Sequence, residues 1–470
     1  MRNDISDIGK NIRNISFGLL SLLVILLVYL SYIQVIEKDF LAAHPLNRRN
    51  NEANRQVQYG MILDKNGEKL AYSEKKGDGF TRTYPYAEIT APLVGYDSPK
   101  YGKAGLESIY NSYLTGMNNP LRHLGAISHL WSNQTGNNIV LTLDANLQET
   151  AYQALGERRG SIVVMSPRTG AILAMVSKPS FNPNLLEQKW ASISTADNSP
   201  LLNRATQGLY PPGSIIKVMM ADAALTEKIR DLKQTIHCEG ELKVPPDYVL
   251  EESGHRAHGD LNLQQALTVS CNVTFGTLAL ELGGKKMAKT FERYGFKRPI
   301  GAEFQESESH LPDFTSLGNG DLAQVGIGQG SLLVTPLRMT MLASAFANKG
   351  MMMKPYLVSK ITDSDGHTIK EFIPEEWLTP TSSQLADTIS KMMVSVVEEG
   401  TGSGARLAGI KVAGKTGTAE NPHGDSHAWF IGFAPADNPE FVIAVIIENA
   451  GSGGGMAAPI AGRILGKALH

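Results

Sequence analysis

The chain has 470 residues, which is long enough for two or three domains, and 42% of them are hydrophobic, as in a globular protein with a sizeable core. The formal net charge of −2 excludes an overall basic field of the kind that binds nucleic acid. Two cysteines, Cys238 and Cys271, are too few for a disulfide framework or a cysteine-based zinc site. We therefore expect no nucleic acid, no metal and no cofactor, and the sequence does not say whether the two cysteines meet.

An uncharged apolar run near the start of the chain predicts a transmembrane anchor. Residues 15–33 read ISFGLLSLLVILLVYLSYI, which is just long enough to cross a bilayer as a helix. A cleaved signal peptide is disfavoured, because its apolar region is shorter and the small residues Ala42 and Ala43 lie well past the end of this run. We expect a single-pass anchor in the cell membrane over residues 15–36.

Charged residues on the two sides of this run give its expected orientation. Lys10 and Arg13 precede it, and positive residues favour the cytoplasmic side of a membrane. Arg48 and Arg49 follow it on the other side, so the charge asymmetry is modest. We expect residues 1–14 to form a cytoplasmic tail and the catalytic part of the chain, beyond the anchor, to be extracellular.

A small module is expected between the anchor and a large domain. Residues 59–73 read YGMILDKNGEKLAYS, and the Asp-Lys-Asn-Gly turn in this segment predicts a β-hairpin. Residues 120–136 carry no strong periodicity, and a strand followed by a helix capped near Asp144 comes next. We therefore place the small module over residues 37–136 and the large domain over residues 137–470.

The large domain has strand candidates at both of its ends. The segments SIVVM and AILAMV lie near its start, and residues 409–419, 427–435 and 441–449 lie near its end. Because short connections favour antiparallel neighbours, these five strands are expected to form one antiparallel sheet. A helical insertion that includes residues 263–283 separates the two groups, and residues 456–469 read as a final helix. The expected fold class is α/β (α+β), a five-stranded antiparallel sheet with flanking helices.

The first chemical signal is a serine and a lysine three residues apart at a helix start. The sequence YPPGSIIKVMM places Ser214 directly after a Pro-Pro-Gly turn and Lys217 one helical turn later, inside an apolar run. A buried lysine needs a partner. The serine and the lysine are therefore either a structural pair in an unfavourable apolar environment or a nucleophile with its base. Ser-x-x-Lys alone also occurs by chance, as at Ser73 and Lys76 in a charged run.

Two further short motifs follow in order along the chain. The Ser-Cys-Asn segment at 270–272 is uninformative alone, because a buried cysteine between polar residues usually packs or caps a helix. The Lys-Thr-Gly-Thr segment at 415–418 lies on a strand candidate, where glycine often marks the close approach of a ligand or another backbone. Each motif is weak separately, but the three together, in this order and at this spacing, are a strong signal.

Three other residues have ordinary interpretations. His255 and His258 have a spacing that metal sites also use, but no clear ligand cluster or cysteine pair accompanies them in the sequence, so we interpret them as loop residues. Arg204 precedes the Ser214 helix, and we interpret it as a salt-bridge partner and not as a catalyst.

The three motifs together resemble the signature of a known family, the penicillin-binding proteins and serine β-lactamases. The segments LLNRATQGLYPPGSIIK, HGDLNLQQALTVSCN, GQGSLLVTPLRM, VAGKTGTAE and HAWFIGFAP resemble those of monofunctional, class B penicillin-binding transpeptidases. YGMILDKNGEKLA and YGKAGLESIYNSYLTG resemble the non-catalytic, dimerisation-like pedestal of those proteins. The expected pedestal, residues 37–136, is shorter than in many division-specific members and resembles the penicillin-binding protein A type of Gram-positive bacteria.

The resemblance implies a fold, an activity and partners. Residues 137–470 would adopt the serine β-lactamase or penicillin-binding transpeptidase fold and act as a peptidoglycan D,D-transpeptidase. Ser214 would attack the penultimate D-Ala carbonyl of a D-Ala-D-Ala stem peptide, and an amine from a neighbouring stem peptide would resolve the acyl-enzyme. β-lactam antibiotics would acylate the same serine. Stem peptides on lipid-linked nascent glycan are the implied substrates, and a membrane glycosyltransferase of the SEDS family is the implied partner.

The side-chain chemistry of the motifs agrees with that activity. Lys217 can act as the base for Ser214 only when neutral, and lowering its pKa from about 10.4 to about 7.4 costs roughly 4 kcal/mol. Burial would supply part of this, and a second cation, Lys415, would supply more. Ser270 can relay a proton to the leaving amine, and Asn272 can orient both Lys217 and the substrate.

The resemblance also assigns binding roles to the third motif. Backbone N–H groups of Ser214 and Thr418 would form an oxyanion hole, in which each donor is worth about 3–4 kcal/mol. Thr416, Gly417 and Thr418, together with Lys415, would hold the carboxylate that D-Ala-D-Ala and β-lactams share.

Three rival functions stay open at this point. A β-lactamase or carboxypeptidase would resolve the acyl-enzyme with water, although no clear motif for a hydrolytic base is evident. A penicillin sensor would need a signalling region, for which the tail before the anchor leaves little room. A non-catalytic activator of a SEDS glycosyltransferase would use the same chain as a scaffold. The sequence does not indicate a division, elongation or sporulation role, or the acceptor amine.

Overall fold

The computed structural model describes residues 2–37, 57–77, 79–117, 135–422 and 424–470. Arg48 and Arg49, together with most of the aperiodic segment expected over 120–136, lie outside the described residues.

The described helices form the anchor, part of the small module, the insertion and the layers on both sides of the main sheet. They are α1 (Arg2–Val35), α2 (Ala87–Val94), α3 (Gly105–Ile109), α4 (Asn111–Leu114), α5 (Ala145–Leu155), α6 (Leu186–Ser194), α7 (Lys217–Thr226), α8 (Leu263–Val269), α9 (Asn272–Arg293), α10 (Asn319–Gly326), α11 (Pro336–Ala347), α12 (Ser383–Glu398) and α13 (Ala457–Leu469).

The described strands form two larger sheets and several two-stranded ones. They are β1 (Ile62–Leu63), β2 (Lys69–Lys76), β3 (Gly79–Thr83), β4 (Tyr96–Ser98), β5 (Gly102–Ala104), β6 (Asn138–Leu141), β7 (Gly160–Met165), β8 (Ile172–Lys178), β9 (Thr235–Cys238), β10 (Glu241–Val244), β11 (Tyr248–Glu251), β12 (Gly259–Asn262), β13 (Met352–Met353), β14 (Val358–Thr362), β15 (Thr368–Glu371), β16 (Glu376–Leu378), β17 (Ala413–Ala419), β18 (His427–Ala434) and β19 (Phe441–Ile447).

Helix α1 contains the predicted anchor. Within residues 12–35, the most apolar stretch of 18 residues has a mean hydropathy of 2.3, and none of that stretch is buried inside the protein. A helix of 24 residues is about 36 Å long, which exceeds the roughly 30 Å hydrocarbon core of a bilayer. The predicted anchor is therefore a helix of membrane-spanning length.

A six-stranded sheet joins the start of the chain to the large domain. Its strand order is β15-β14-β6-β1-β2-β3. The predicted hairpin is the antiparallel pair of β1 and β2, and β1 also pairs in parallel with β6 through Ile62 and Ile139. This sheet takes strands from both sides of the boundary expected between residues 136 and 137, so the domain limits stay a prediction.

The turn of the hairpin is fixed by Asp64. Its carboxylate accepts the backbone N–H groups of Asn66 at 2.7 Å and Glu68 at 2.8 Å, which is the local pattern of an Asx turn. The same carboxylate accepts the Ala145 N–H at 3.1 Å, at the start of α5. Asp144 caps that helix as expected, with its side chain accepting from Asn146 and Leu147. One buried carboxylate thus connects the hairpin turn to the first helix of the large domain.

The main sheet has five strands in the order β17-β18-β19-β7-β8, and every neighbouring pair is antiparallel. The sequence prediction that the two early and three late strands form one antiparallel sheet is confirmed. Residues 441–447 read FVIAVII, and six of these seven side chains are buried. An antiparallel strand reads as a continuous apolar run in this way when both faces of its sheet are covered.

Alternate residues of the main sheet enter two separate hydrophobic cores. On β7, Ile162 and Val164 pack in the core that also includes apolar residues of α5 and α13, while Val163 and Met165 pack in the larger core with α7 and α11. This alternation follows from the two-residue period of a strand. The sheet therefore lies between two helical layers, and its edge strand β17 lies next to the helical insertion.

Two helices of the insertion are joined by a turn of two residues. Helix α8 ends at Val269, its C-cap residue Ser270 has φ 63° and ψ 38°, and α9 begins at Asn272. A left-handed backbone conformation costs a non-glycine residue about 1–3 kcal/mol. The residues around Ser270 must therefore stabilise this turn. α9 packs against α7, and α7 carries the lysine of the first motif.

Candidate active site

Ser214 lies in a single turn of 3-10 helix, Gly213–Ile216, which leads directly into α7. Ile215 and Ile216 are fully buried and anchor this turn in the core. The Ser214 side chain is only half-buried, and its hydroxyl makes no hydrogen bond within the described part of the chain. The hydroxyl is therefore held in place by the backbone and left free to react.

Close backbone approaches fix the Ser214 turn between two other segments. A Cβ atom on Gly213, which has φ 55°, would lie 2.7 Å from the Thr418 carbonyl oxygen, and one on Gly328 would lie 2.1 Å from the Gly213 oxygen. A Cβ on Gly417 would lie 3.0 Å from the Pro212 oxygen. The glycine of the strand motif thus marks a close approach of another backbone, as the sequence indicated.

Lys217 is the first residue of α7, and its side chain is fully buried. Its ammonium nitrogen donates to the Ser270 carbonyl oxygen at 2.7 Å and to Asn272 Oδ1 at 2.7 Å. It also lies 3.4 Å from Ser270 Oγ. The partner that a buried lysine requires is therefore the Ser-Cys-Asn turn and not a carboxylate in direct contact.

The turn between α8 and α9 presents two groups of Ser270 to the lysines. The left-handed conformation lets the Ser270 carbonyl accept from Lys217 while its hydroxyl accepts from Lys415 Nζ at 2.9 Å. Asn272 is fixed on its other side, because its Nδ2 donates to the Glu251 carbonyl at 2.9 Å. The orientation of the Asn272 side-chain amide is thus fixed, because its oxygen accepts from Lys217 and its nitrogen donates to Glu251.

Strand β17 carries the third motif along the edge of the main sheet. Lys415 is fully buried and also donates to the Thr416 carbonyl at 3.0 Å. The Thr416 hydroxyl lies 2.6 Å from the hydroxyl of Thr401, while the Thr418 side chain is exposed. No ion pair among the described residues includes Lys415. The strand therefore presents a buried cation and threonine hydroxyls beside the Ser214 turn.

Burial lowers the pKa of both lysines. The pKa of Lys217 falls to about 8, with the nearby Glu252 carboxylate acting in the opposite direction. Burial, and then the positive charge of Lys217, hold the pKa of Lys415 well below its usual range. From the sequence we expected the second cation, Lys415, to disfavour the charge of Lys217. Repulsion between two ammonium groups is mutual, so it is unfavourable for both lysines to be charged at once, while the Glu252 carboxylate favours the charge of Lys217.

The hydrogen-bond network unites four of the predicted residues, namely Lys217, Ser270, Asn272 and Lys415. Ser214, Gly417 and Thr418 are brought beside them by backbone packing, and Thr416 lies on the same strand.

A partly buried acid behind the Ser214 turn was not predicted. Glu448 follows β19, and its Oε1 accepts from Arg204 Nε at 2.7 Å and from the Tyr210 hydroxyl at 2.8 Å. Tyr210 lies four residues before Ser214, so this cluster holds the approach to the nucleophile. The interpretation of Arg204 as a salt-bridge partner is confirmed. The sequence offered one signal for this cluster, namely Arg204 shortly before the Ser214 motif. No local pattern pointed to its distant partner, Glu448.

Known proteins share this architecture over nearly the whole chain. Residues 160–466 match the family model of the penicillin-binding protein transpeptidase domain, and residues 59–139 match that of the penicillin-binding protein A dimerisation domain. The chain is 34% identical to the peptidoglycan D,D-transpeptidase PbpA of Mycolicibacterium smegmatis, over 98% of this chain and 99% of that protein. It is 33% identical to the peptidoglycan D,D-transpeptidase MrdA of Acinetobacter baumannii, over 81% of this chain and 65% of that protein.

Solved structures show the same fold. The structure of penicillin-binding protein A from M. tuberculosis as a ceftriaxone acyl-enzyme complex is similar with a TM-score of 0.84 and 30% identity, over 89% of this chain and 100% of that one. Its penicillin G acyl-enzyme complex gives a TM-score of 0.81, at 30% identity, over 88% and 100%. The fold and the motif set thus define a serine-type transpeptidase. The chain belongs to the class B penicillin-binding proteins.

Proposed function

We propose that this chain is a peptidoglycan D,D-transpeptidase that cross-links stem peptides through an acyl-enzyme on Ser214. The observation that supports this most strongly is the convergence of two buried lysines on Ser270 beside a free serine hydroxyl. The relatives named as peptidoglycan D,D-transpeptidases and the acyl-enzyme complexes of M. tuberculosis penicillin-binding protein A agree with it.

In the acylation step, Ser214 Oγ attacks the penultimate D-Ala carbonyl carbon while its proton passes to neutral Lys217. Two positions around Lys217 Nζ are already used by its short bonds to Ser270 and Asn272. A neutral amine has two hydrogens and one lone pair, so donating both hydrogens leaves the lone pair as the group that accepts the proton. These two bonds therefore favour Lys217 as the base.

Collapse of the tetrahedral intermediate breaks the peptide bond and releases D-Ala. The amine that leaves needs a proton, and Ser270 Oγ can relay one because it lies between Lys217 and Lys415. The oxyanion forms beside the backbone N–H groups of Ser214 and Thr418, which belong to segments in close contact. An amine from a second stem peptide then attacks the ester and regenerates the Ser214 hydroxyl.

The terminal carboxylate of the donor peptide is proposed to lie along β17. Lys415 is a buried amine with no carboxylate partner among the described ion pairs, and Thr416 and Thr418 lie one and three residues along the same strand. Alternate residues of a strand share a face, so the two threonine hydroxyls can contact one carboxylate together. β-lactams carry an equivalent carboxylate, which supports their acylating the same serine.

The first prediction concerns the nucleophile. Ser214→Ala is expected to abolish the covalent penicillin G adduct of the purified full-length chain, because the attacking hydroxyl is gone. Lys217→Ala is expected to slow adduct formation by a factor of about 10²–10⁴, the usual contribution of a general base. Intact-protein mass spectrometry over several hours measures both changes. Ser73→Ala removes the serine of the other Ser-x-x-Lys segment and should be labelled like the wild type.

The same measurement separates the rival functions. A stable adduct that disappears in Ser214→Ala supports a transpeptidase. An adduct that forms and hydrolyses within seconds would identify a β-lactam-hydrolysing enzyme instead. A folded wild-type chain that forms no adduct would favour the non-catalytic scaffold, as would normal cross-linking in cells that carry only Ser214→Ala.

The second prediction is the pH dependence of acylation. Because the neutral form of Lys217 is the base, the acylation rate is expected to rise with pH and to level off above a pKa of about 8. Below that value the rate should fall about tenfold for each pH unit, as the neutral fraction does. Stopped-flow acylation with a chromogenic cephalosporin gives this profile. A rate that is constant from about pH 6 to pH 9 would argue against Lys217 as the base.

The third prediction is the orientation of the anchor. We propose that α1 crosses the cell membrane with its N-terminus in the cytoplasm, which is supported by Lys10 and Arg13 before the apolar run. The catalytic part of the chain then lies outside, where peptidoglycan is cross-linked. Protease added to intact protoplasts is expected to degrade this part. Full protection, with digestion only after lysis, would mean the opposite orientation.

The fourth prediction concerns a membrane partner. We propose that α1 contacts a SEDS-family glycosyltransferase that makes the lipid-linked glycan on which the stem peptides arrive. The support is the family resemblance, together with the uncovered apolar surface of α1. Photo-crosslinkers placed in turn at residues 23 to 26, which cover one helical turn, should label such a protein from one face. Absence of that crosslink from all four positions would contradict the proposal.

A further inference from the structure

One short loop contacts both backbone segments of the proposed oxyanion hole. Residues 328–331, here called the Gly328 loop, begin the segment GQGSLLVTPLRM, to which the proposed reaction gives no role. The Gly328 carbonyl accepts the N–H of Gly213, the residue before Ser214, at 2.8 Å. The Gln329 side chain lies at the end of β17. The loop thus connects the two segments whose N–H groups would stabilise the oxyanion.

Gln329 binds the backbone of β17 through both ends of its side-chain amide. Its Nε2 donates to the Thr418 carbonyl at 3.4 Å, and its Oε1 accepts from the Glu420 N–H at 3.3 Å. In a parallel sheet, one residue bonds to the next strand in the same way, through the C=O of one residue and the N–H of the residue two positions further on. The Gln329 amide therefore takes the place of a neighbouring strand at this point.

Strand β17 needs such a partner because it is an edge strand. The main sheet begins with β17, and β18 pairs with one side of it. The other side of an edge strand presents unpaired N–H and C=O groups. The N–H and the C=O of one strand residue point to the same side, so the Thr418 carbonyl that Gln329 holds and the Thr418 N–H share this edge. Restraining the carbonyl therefore also restrains the direction of the N–H.

We propose that Gln329 is a positioning residue that sets the spacing of the two N–H donors of the oxyanion hole. Through the backbone of its loop it is tied to the Ser214 turn, and through its side chain it is tied to Thr418. Donors of an oxyanion hole are effective when they are held in advance about 2.7–3.1 Å from the developing charge, so their spacing must be fixed. This inference rests on the proposed function.

The Gly328 loop is itself held firmly. The Gly328 N–H donates to the Val325 carbonyl at 3.0 Å, and the Gln329 N–H donates to the Gln324 carbonyl at 2.9 Å, both at the end of α10. Gly328 has φ 81° and Gly330 has φ 75°, a region that glycine adopts without strain. The two glycines thus let the chain turn on both sides of Gln329 and fix where its side chain starts.

A second pair of hydrogen bonds joins the following residues to the chain before Ser214. The Tyr210 N–H donates to the Val334 carbonyl at 3.0 Å, and the Val334 N–H donates to the Tyr210 carbonyl at 2.9 Å. Residues 328–334 are therefore bonded to residues 210–213 at both ends. The loop and the Ser214 turn form one unit, and the Gln329 amide joins this unit to the end of β17.

The competing interpretation is that Gln329 blocks the edge of β17 against an extended peptide. In that case its removal would speed acylation. The positioning role is favoured because Gln329 binds the C=O of Thr418 and the N–H of Glu420, and neither is the N–H that would hold the oxyanion. The amide can therefore stay in place during the reaction.

The test compares the full-length wild type with Gln329→Ala, which loses both bonds, and with Gln329→Glu, which keeps the acceptor but cannot donate to Thr418. Ser331→Ala is the matched control, because its side chain is exposed in the same loop. Stopped-flow acylation at several concentrations of a chromogenic cephalosporin separates the dissociation constant of the non-covalent complex from the acylation rate constant. Both Gln329 variants are expected to lower the rate constant, Gln329→Ala by roughly 10–100-fold, and to leave the dissociation constant unchanged.

A second readout reports on the oxyanion hole directly. In the penicillin acyl-enzyme, the ester carbonyl oxygen accepts from the two N–H donors, and this lowers its infrared stretching frequency. Difference spectra with an isotope-labelled carbonyl should show a higher frequency in Gln329→Ala than in the wild type. Two long hydrogen bonds from a partly exposed side chain contribute little to the free energy of unfolding, so the Tm should be unchanged.

The possible outcomes separate this inference from the proposed function. A wild type that forms an adduct, with a Gln329→Ala variant that acylates at the same rate and has the same carbonyl frequency, overturns the inference alone. Faster acylation by Gln329→Ala also overturns it, in favour of the blocking role. If Gln329→Ala does not fold, the isosteric Gln329→Glu decides by the same criteria. A folded wild type that forms no adduct overturns the proposed function and this inference together.

Discussion

The burial of two lysines around one serine hydroxyl is the constraint on which the rest of the active site depends. Lys217 and Lys415 are both fully buried, and a buried ammonium is costly unless acceptors surround it. The chain supplies those acceptors from the turn at Ser270 and from Asn272, and this requires a left-handed residue between two helices. The same burial lowers the pKa of each lysine, so the feature that strains the fold also makes an amine available as a base.

Close backbone packing is the second requirement of the site. The Ser214 turn lies against β17 on one side and against Gly328 on the other, at distances that only glycine permits. Edge strand β17 is therefore both a wall of the site and the proposed binding surface for a carboxylate. Because the turn, the strand and the Gly328 loop belong to distant parts of the chain, the geometry of the nucleophile depends on the whole domain. The Arg204, Tyr210 and Glu448 cluster stabilises the approach to this turn from behind.

The helical insertion shows the same dependence of the site on distant contacts. The two buried lysines depend on the hydrogen-bond acceptors of the Ser-Cys-Asn turn. That turn depends in its own right on the contacts that hold Cys271 in place. A segment of short strand pairs has little core of its own, so it gains order from the side chains that meet at Glu252. In this view, the middle residue of the motif acts as a positioning residue for its two neighbours.

The sequence alone determined the features that depend on local pattern and chain order. The apolar run, the capped helix at Asp144, the five-stranded sheet and the three motifs follow from hydrophobic period, turn residues and spacing, which act over a few neighbours. The tertiary structure decided the rest. It showed that β6 and β14 join the hairpin in one sheet, that burial and the charge of Lys217 lower the pKa of Lys415, and that Glu448 supports Tyr210. It also brought His258 and the two cysteines to Glu252. These outcomes depend on contacts between residues far apart in the chain, and a single sequence carries no local signal for which distant side chains will share a buried space.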